Sequence, residues 1–196
     1  LYHVDGSTVP TKHHLLLRFT DGTYLSVSIQ GWGAAQLVPA ASLHTRSLAG
    51  PERISPLSDA FTWEHFQGLW AEVPSDDPRS IKYWAISRPG IPGLGNGYLQ
   101  DVLFRARLNP RRIALSLTEA ERRAFFGAVV AVLREATALG GRDSERDLFN
   151  RPGRYARILD SDMVGQPCPA CGMPIVKMRY LGGSSYYCPS CQPLPS

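Results

Sequence analysis

Cysteine is absent from this 196-residue chain until position 168, and lysine is scarce throughout, three residues against eighteen arginines. No apolar run approaches the roughly 20 residues a membrane helix needs. The opening Leu1-Tyr2-His3-Val4-Asp5 has neither the basic nor the apolar region of a secretory leader. A cytoplasmic, reducing environment is therefore expected, one in which a disulfide framework is out of place. Internal repeats are missing, and so are low-complexity tracts, apart from a short Pro-containing tail at Gln192 to Ser196. Leu1 stands where an initiator methionine would, so the chain reads as a segment of a longer protein. With 43% hydrophobic residues it is expected to be globular, with one substantial core or two small ones.

The net charge of +4 is modest, but its distribution is uneven. Residues 1 to 94 carry seven Lys/Arg against eight Asp/Glu, whereas residues 95 to 157 carry twelve Arg against seven acids. A localised arginine excess is the electrostatic footprint of a phosphate-backbone binder, because neutralising phosphates releases condensed counterions. A solvated helical surface would look similar by composition alone.

The four cysteines form two pairs, Cys168-Pro-Ala-Cys171 and Cys188-Pro-Ser-Cys191. Two Cys-x-x-Cys knuckles at the base of a hairpin can present four thiolates tetrahedrally, at about 2.3 Å from Zn2+. Two disulfides or a redox-active Cys-x-x-Cys are the alternatives. Between the pairs Ile175, Lys177 and Arg179 alternate with Val176, Met178 and Tyr180. Gly182-Gly183 offers a turn, and Ser185 to Tyr187 run back, so a β-ribbon is expected.

Upstream, residues 13 to 29 alternate around Asp21-Gly22 and predict a β-hairpin. Residues 34 to 58 contain Pro39, Pro51 and Pro56 and read as a linker. Helical spacing begins near Asp59, with Phe61, Phe66, Leu69 and Trp70 near one face, and Pro74 and Pro78 end that helix. A second short helix is expected over 79 to 86. A third begins near Gly97 and stops before Asn109-Pro110. The longest opens with the capping box Thr118 and Glu121 and ends at Gly140-Gly141. Gly93-Leu-Gly-Asn96 opens the third helix, where close backbone approach, unpaired N–H groups and the Asn96 amide suit a phosphate. Such turns are often only tight turns, so the motif alone is weak.

Several stretches, taken in order, are similar to the formamidopyrimidine-DNA glycosylase and endonuclease VIII family of base-excision repair enzymes. They are Gly50-Pro-Glu; Pro56-Leu-Ser-Asp-Ala-Phe61; Ile81-Lys82 with Trp84; Gly93 to Ala106 with Asn109-Pro110; Cys168 to Ile175; and Tyr186 to Gln192. The resemblance runs over roughly residues 12 to 192 and is strongest in the helical segment and the ribbon. It implies an α+β fold divided into a partial N-terminal β-sandwich (1–48), a helix-two-turn-helix domain (49–160) and a zinc β-hairpin (161–196). It implies double-stranded damaged DNA as partner, a monomer, and Zn2+ on Cys168, Cys171, Cys188 and Cys191. Asn96 then matches an asparagine that holds a phosphate near the lesion. Lys82 matches a lysine on the same backbone region, and Trp32 stands in the loop that bears an aromatic wedge.

The chain also departs from that family. An N-terminal proline nucleophile followed by glutamate is not among these residues, so no catalytic residue is assigned and the segment alone is expected to be inactive. Gly183 stands where the ribbon's phosphate-clamping arginine is expected, and Gln30-Gly31 where the wedge loop carries two arginines. Two readings follow: the DNA-gripping part of a glycosylase with abasic-site lyase activity, or a non-catalytic zinc-dependent DNA-binding paralogue. A zinc-ribbon protein-interaction domain is a third, which the helix-two-turn-helix match disfavours.

Overall fold

In the computed structural model, which describes residues 1–29, 38–45 and 54–194, the strands β1 (Tyr2–His3), β2 (Leu15–Arg18) and β3 (Tyr24–Val27) make an antiparallel sheet in the order β1-β3-β2. The expected hairpin is thus present, with Leu17 opposite Leu25 and Arg18 opposite Tyr24. Its turn is set by chemistry at Asp21, whose Oδ1 accepts from the Thr23 N–H at 2.9 Å and from Thr23 Oγ1 at 2.7 Å. A 3-10 helix at Ala40–Thr45 falls within the stretch read as a linker.

By contacts the chain divides into two units, Leu1–Glu52 with Ala138–Tyr155 and Arg53–Thr137 with Ala156–Ser196. In the first, the Tyr2 N–H donates to the Leu148 carbonyl at 2.7 Å and the Tyr2 ring meets Phe149 edge-on. Buried His3 bridges Ser26 Oγ at 2.7 Å and Thr8 Oγ1 at 3.0 Å, which satisfies both ring nitrogens inside the sheet.

The second unit holds four helices and a ribbon. Helix α1 (Trp63–Ala71) starts later than the apolar spacing suggests, because Thr62 provides the cap, its hydroxyl accepting from the His65 N–H at 3.2 Å. Helix α2 (Ile81–Ile86) is capped by Ser80, α3 (Asn96–Arg105) follows the glycine turn, and α4 (Glu119–Ala138) opens with the expected capping box. There Glu121 Oε2 accepts from the Thr118 N–H at 2.8 Å, while Thr118 Oγ1 accepts from the Glu121 N–H at 3.2 Å. Gly140 and Gly141, at φ 75° and 89°, end α4 as the sequence implies.

Aromatic burial holds these helices together. Trp70 and Trp84 stack with centroids 4.1 Å apart, and Phe66 contacts Phe61, Trp84 and Phe125. Phe66 and Phe125 are fully buried, so truncating either to alanine costs about 3–5 kcal/mol.

The ribbon pairs β4 (Val176–Tyr180) with β5 (Gly183–Tyr187), Tyr180 facing Gly183 and Val176 facing Tyr187. Its turn lies on Leu181-Gly182, one residue before the expected Gly182-Gly183, with both residues at positive φ, 53° and 72°. Two left-handed residues in a two-residue loop match the twist of the flanking strands. Gly183 is thereby freed to be the first residue of β5.

Candidate metal centre and nucleic-acid interface

The metal centre is built by the two knuckles at the base of the ribbon. The Ala170 N–H donates to Cys168 Sγ at 3.4 Å and the Cys191 N–H to Cys188 Sγ at 3.4 Å, so each knuckle folds back on its own sulfur. All four sulfurs lie within 4.8 Å of one another and none is in a disulfide. Two contacts across the knuckles, Cys168–Cys191 at 3.9 Å and Cys171–Cys188 at 3.5 Å, match the edge of about 3.8 Å expected when four sulfurs sit about 2.3 Å from one ion. Without a cation the quartet cannot be uniformly ionised. Cys171 is drawn down to about 7 by the Met173 backbone and by its thiol neighbours, Cys191 is pushed up to about 12 by Cys171 and by burial, and burial also raises Cys188. The donor set fits Zn2+, and the disulfide reading does not fit these distances.

Beneath the sulfurs, Ile175 and Leu159 pack with Cys168 and Cys188, and Phe104 of α3 and Tyr186 of β5 close the cluster. The segment leading into the ribbon is fixed by Asp101, a fully buried carboxylate that accepts from the N–H groups of Ile158 at 3.1 Å and Leu159 at 2.9 Å. Two glutamines complete the docking. Gln100 Nε2 donates to the Ser184 carbonyl at 3.1 Å while its Oε1 accepts from the Tyr186 N–H at 3.1 Å. Gln192 Nε2 donates to the Leu108 carbonyl at 2.9 Å while its Oε1 accepts from the Cys188 N–H at 3.0 Å. Gln192, read above as the start of a tail, is fully buried.

The residues singled out for phosphate binding converge on the ribbon turn. Gly93, at φ 76°, shapes the loop before α3 in a conformation only glycine adopts freely. Gly95 caps the helix without a side-chain bond, so the first N–H groups of α3 remain without a capping side chain. Asn96 follows, its Nδ2 donating to the Ser184 carbonyl at 3.1 Å. Lys82 lies 1% exposed, far deeper than a phosphate ligand read from sequence would suggest. Its Nζ donates to the Tyr180 carbonyl at 2.9 Å and to Ser185 Oγ at 3.0 Å, leaving one N–H for a further acceptor. Burial lowers its pKa from the ordinary lysine value. A Cβ on Gly183 would stand 3.5 Å from Asn96 Nδ2 and 3.8 Å from Lys82 Nζ. An open cleft of about 280 Å³ adjoins them, lined by Arg179, Tyr180, Gly182, Gly183 and Ser184.

The arginine excess is less available than its sum implies. Arg105 pairs with Glu135, Arg112 with Glu121, Arg123 with Glu119, Arg134 with Asp59, Arg142 with Glu145, Arg151 with Asp147 and Arg157 with Asp160. Arg111 differs, lying over the Tyr180 ring with its Cζ 5.7 Å from the centroid. Spacing in the sequence gives no signal for Gln100, Gln192 or the Arg111–Tyr180 contact. Trp32, and Gln30-Gly31 before it, lie outside the described residues.

A glycine-turned helix start is thus docked through side-chain amides onto a ribbon whose base gathers four cysteine thiols. The model of the formamidopyrimidine-DNA glycosylase H2TH domain matches residues 50–147, and that of the zinc finger found in FPG and IleRS matches residues 165–194. The formamidopyrimidine-DNA glycosylase of Listeria innocua is 32% identical over 198 residues, covering 96% of this chain and 70% of that protein. The Thermus thermophilus enzyme of the same name is 38% identical over 149 residues, covering 73% of this chain and 53% of that protein. Among solved structures, MutM (Fpg) from Thermus thermophilus superposes with a TM-score of 0.81 at 29% identity, covering 100% of this chain and 73% of that one. MutM in complex with DNA containing carbocyclic 8-oxo-G superposes at 0.74 with 25% identity, covering 98% and 71%. The chain belongs to the formamidopyrimidine-DNA glycosylase family.

Proposed function

We propose that this polypeptide is the damaged-DNA-gripping part of a base-excision repair glycosylase with an associated abasic-site lyase activity. The observation that carries the reading is the meeting of Asn96, Lys82 and the ribbon turn at Gly183, where amide and ammonium donors gather beside an open cleft. Cys168, Cys171, Cys188 and Cys191 hold Zn2+, whose role is to stiffen the ribbon that carries Tyr180 and Ser184 to those donors. Enzymes acting on a base must extrude it from the stack, and firm phosphate contacts on both sides offset the unstacking cost of a few kcal/mol. By role, residues 1–48 belong to the catalytic β-domain, 49–160 to the helix-two-turn-helix and 161–196 to the finger. Trp32 is the candidate wedge into the base stack, and the protein acts as a monomer on duplex DNA.

The 196 residues offer no N-terminal proline amine to form a Schiff base with the sugar, so this polypeptide alone should hold abasic duplex without cutting it. Fluorescence anisotropy on an abasic-analogue duplex, with borohydride trapping in parallel, tests both halves. Binding should weaken steeply with salt, Asn96→Ala should weaken it about tenfold, and no covalent adduct should form. Salt-insensitive binding unaffected by Asn96→Ala would refute the phosphate reading, and a trapped adduct would refute the assignment of catalysis.

A further inference from the structure

Two cations share one aromatic ring at the ribbon turn. Lys82 Nζ lies 6.0 Å from the Tyr180 centroid and Arg111 Cζ lies 5.7 Å from it. Arg111 is held in place: its N–H donates to Asn109 Oδ1 at 3.0 Å, and Asn109 Nδ2 donates to the Gln192 carbonyl at 2.9 Å. The backbone of the loop that carries Arg111 is thus bolted to the cysteine knuckle at the base of the ribbon that carries Tyr180. Among the described residues no carboxylate pairs with either Lys82 or Arg111, in contrast to Arg105, Arg112, Arg123 and Arg134, each of which meets one. Like charges near one ring repel each other, and an anion placed between them removes that cost. Opposite Tyr180 on β5 stands Gly183, which brings no cation of its own. A guanidinium held by cation–π attraction to a tyrosine face, with no carboxylate partner, keeps N–H donors available for the paired oxygens of a phosphodiester.

We propose that Arg111, positioned by Tyr180, is a DNA-phosphate ligand of this chain, completing with Lys82 and Asn96 a cradle whose ribbon turn carries no arginine. This rests on the DNA-binding reading above. The test is anisotropy of the full 196-residue chain with abasic-analogue duplex over a series of salt concentrations, comparing Arg111→Ala with Arg123→Ala. The second variant loses the same charge from a guanidinium already paired with Glu119, and far-UV circular dichroism with thermal melting verifies that each protein is folded. Arg111→Ala should weaken binding about tenfold and reduce the slope of log affinity against log salt by about one, with Arg123→Ala near the parent. Tyr180→Leu should weaken binding in the parent but add little to Arg111→Ala, because the ring acts through the guanidinium. If Arg111→Ala matches Arg123→Ala while Asn96→Ala still weakens binding, the proposal fails and the DNA-binding reading survives. Full additivity of Tyr180→Leu with Arg111→Ala overturns the positioning role. A parent chain that does not bind duplex sinks both.

Discussion

Lys82 Nζ donates to the Tyr180 carbonyl at 2.9 Å across 98 positions of sequence, so a lysine of a six-residue helix fastens the far end of the ribbon. A buried ammonium in that position has two jobs, holding β4 against α2 and presenting positive charge beside Asn96.

These two jobs respond oppositely to pH. Burial lowers the Lys82 pKa below its ordinary 10.5, so between the lowered value and 10.5 the unfolded chain binds more protons than the folded one. Stability from this group therefore rises with pH through that window, while DNA affinity falls as the ammonium loses its charge. Anisotropy from about pH 7 to 10 should show the parent losing affinity before ordinary lysines titrate, and Lys82→Met should bind weakly with that alkaline limb flattened. A Lys82→Met limb as steep as the parent's would assign the loss to other groups.

Removing zinc should act locally. The Trp70–Trp84 stack and the sulfur cluster are separate packings, so chelation should disorder residues from about 168 to 192 and leave α1 to α4 helical. We expect one Zn2+ per chain by mass spectrometry of the native protein, loss of the ribbon's amide signals on chelation, and at least a tenfold fall in DNA affinity. Ribbon signals that persist in the apo protein would contradict a structural metal.

The bare turn can be filled. Gly183 has no positive φ, and a Cβ there meets Asn96 Nδ2 at 3.5 Å, an ordinary contact, so the backbone accepts Gly183→Arg. The added guanidinium should tighten binding to abasic-analogue duplex about tenfold at low salt and steepen the salt dependence by about one. An unchanged salt slope would mean that this face of the ribbon does not meet DNA.

The hairpins, the long helix and the metal centre were legible because their signals are local: alternation around Asp21-Gly22, the Thr118/Glu121 box, and cysteines at fixed spacing. The site was legible only in part. Asn96 is marked by the glycines before it, but the burial of Lys82 depends on a ribbon about a hundred residues away. The arginine excess likewise overstated the free charge, since whether Arg105 or Arg112 meets Glu135 or Glu121 is decided by packing, not by composition. Leu181 hid the true turn because leucine rarely adopts φ 53°, and glycine at the next two positions drew the assignment one residue forward.

Gln192 stands directly after the last cysteine, and its side chain ties Cys188 to the backbone at Leu108, just past the end of α3. A protease nick or premature stop just past Cys191 would spare every sulfur yet remove one of the two glutamine ties between the finger and the helices. Such a product would still count as a metalloprotein in any assay of metal content, while its hold on a damaged strand had already slackened.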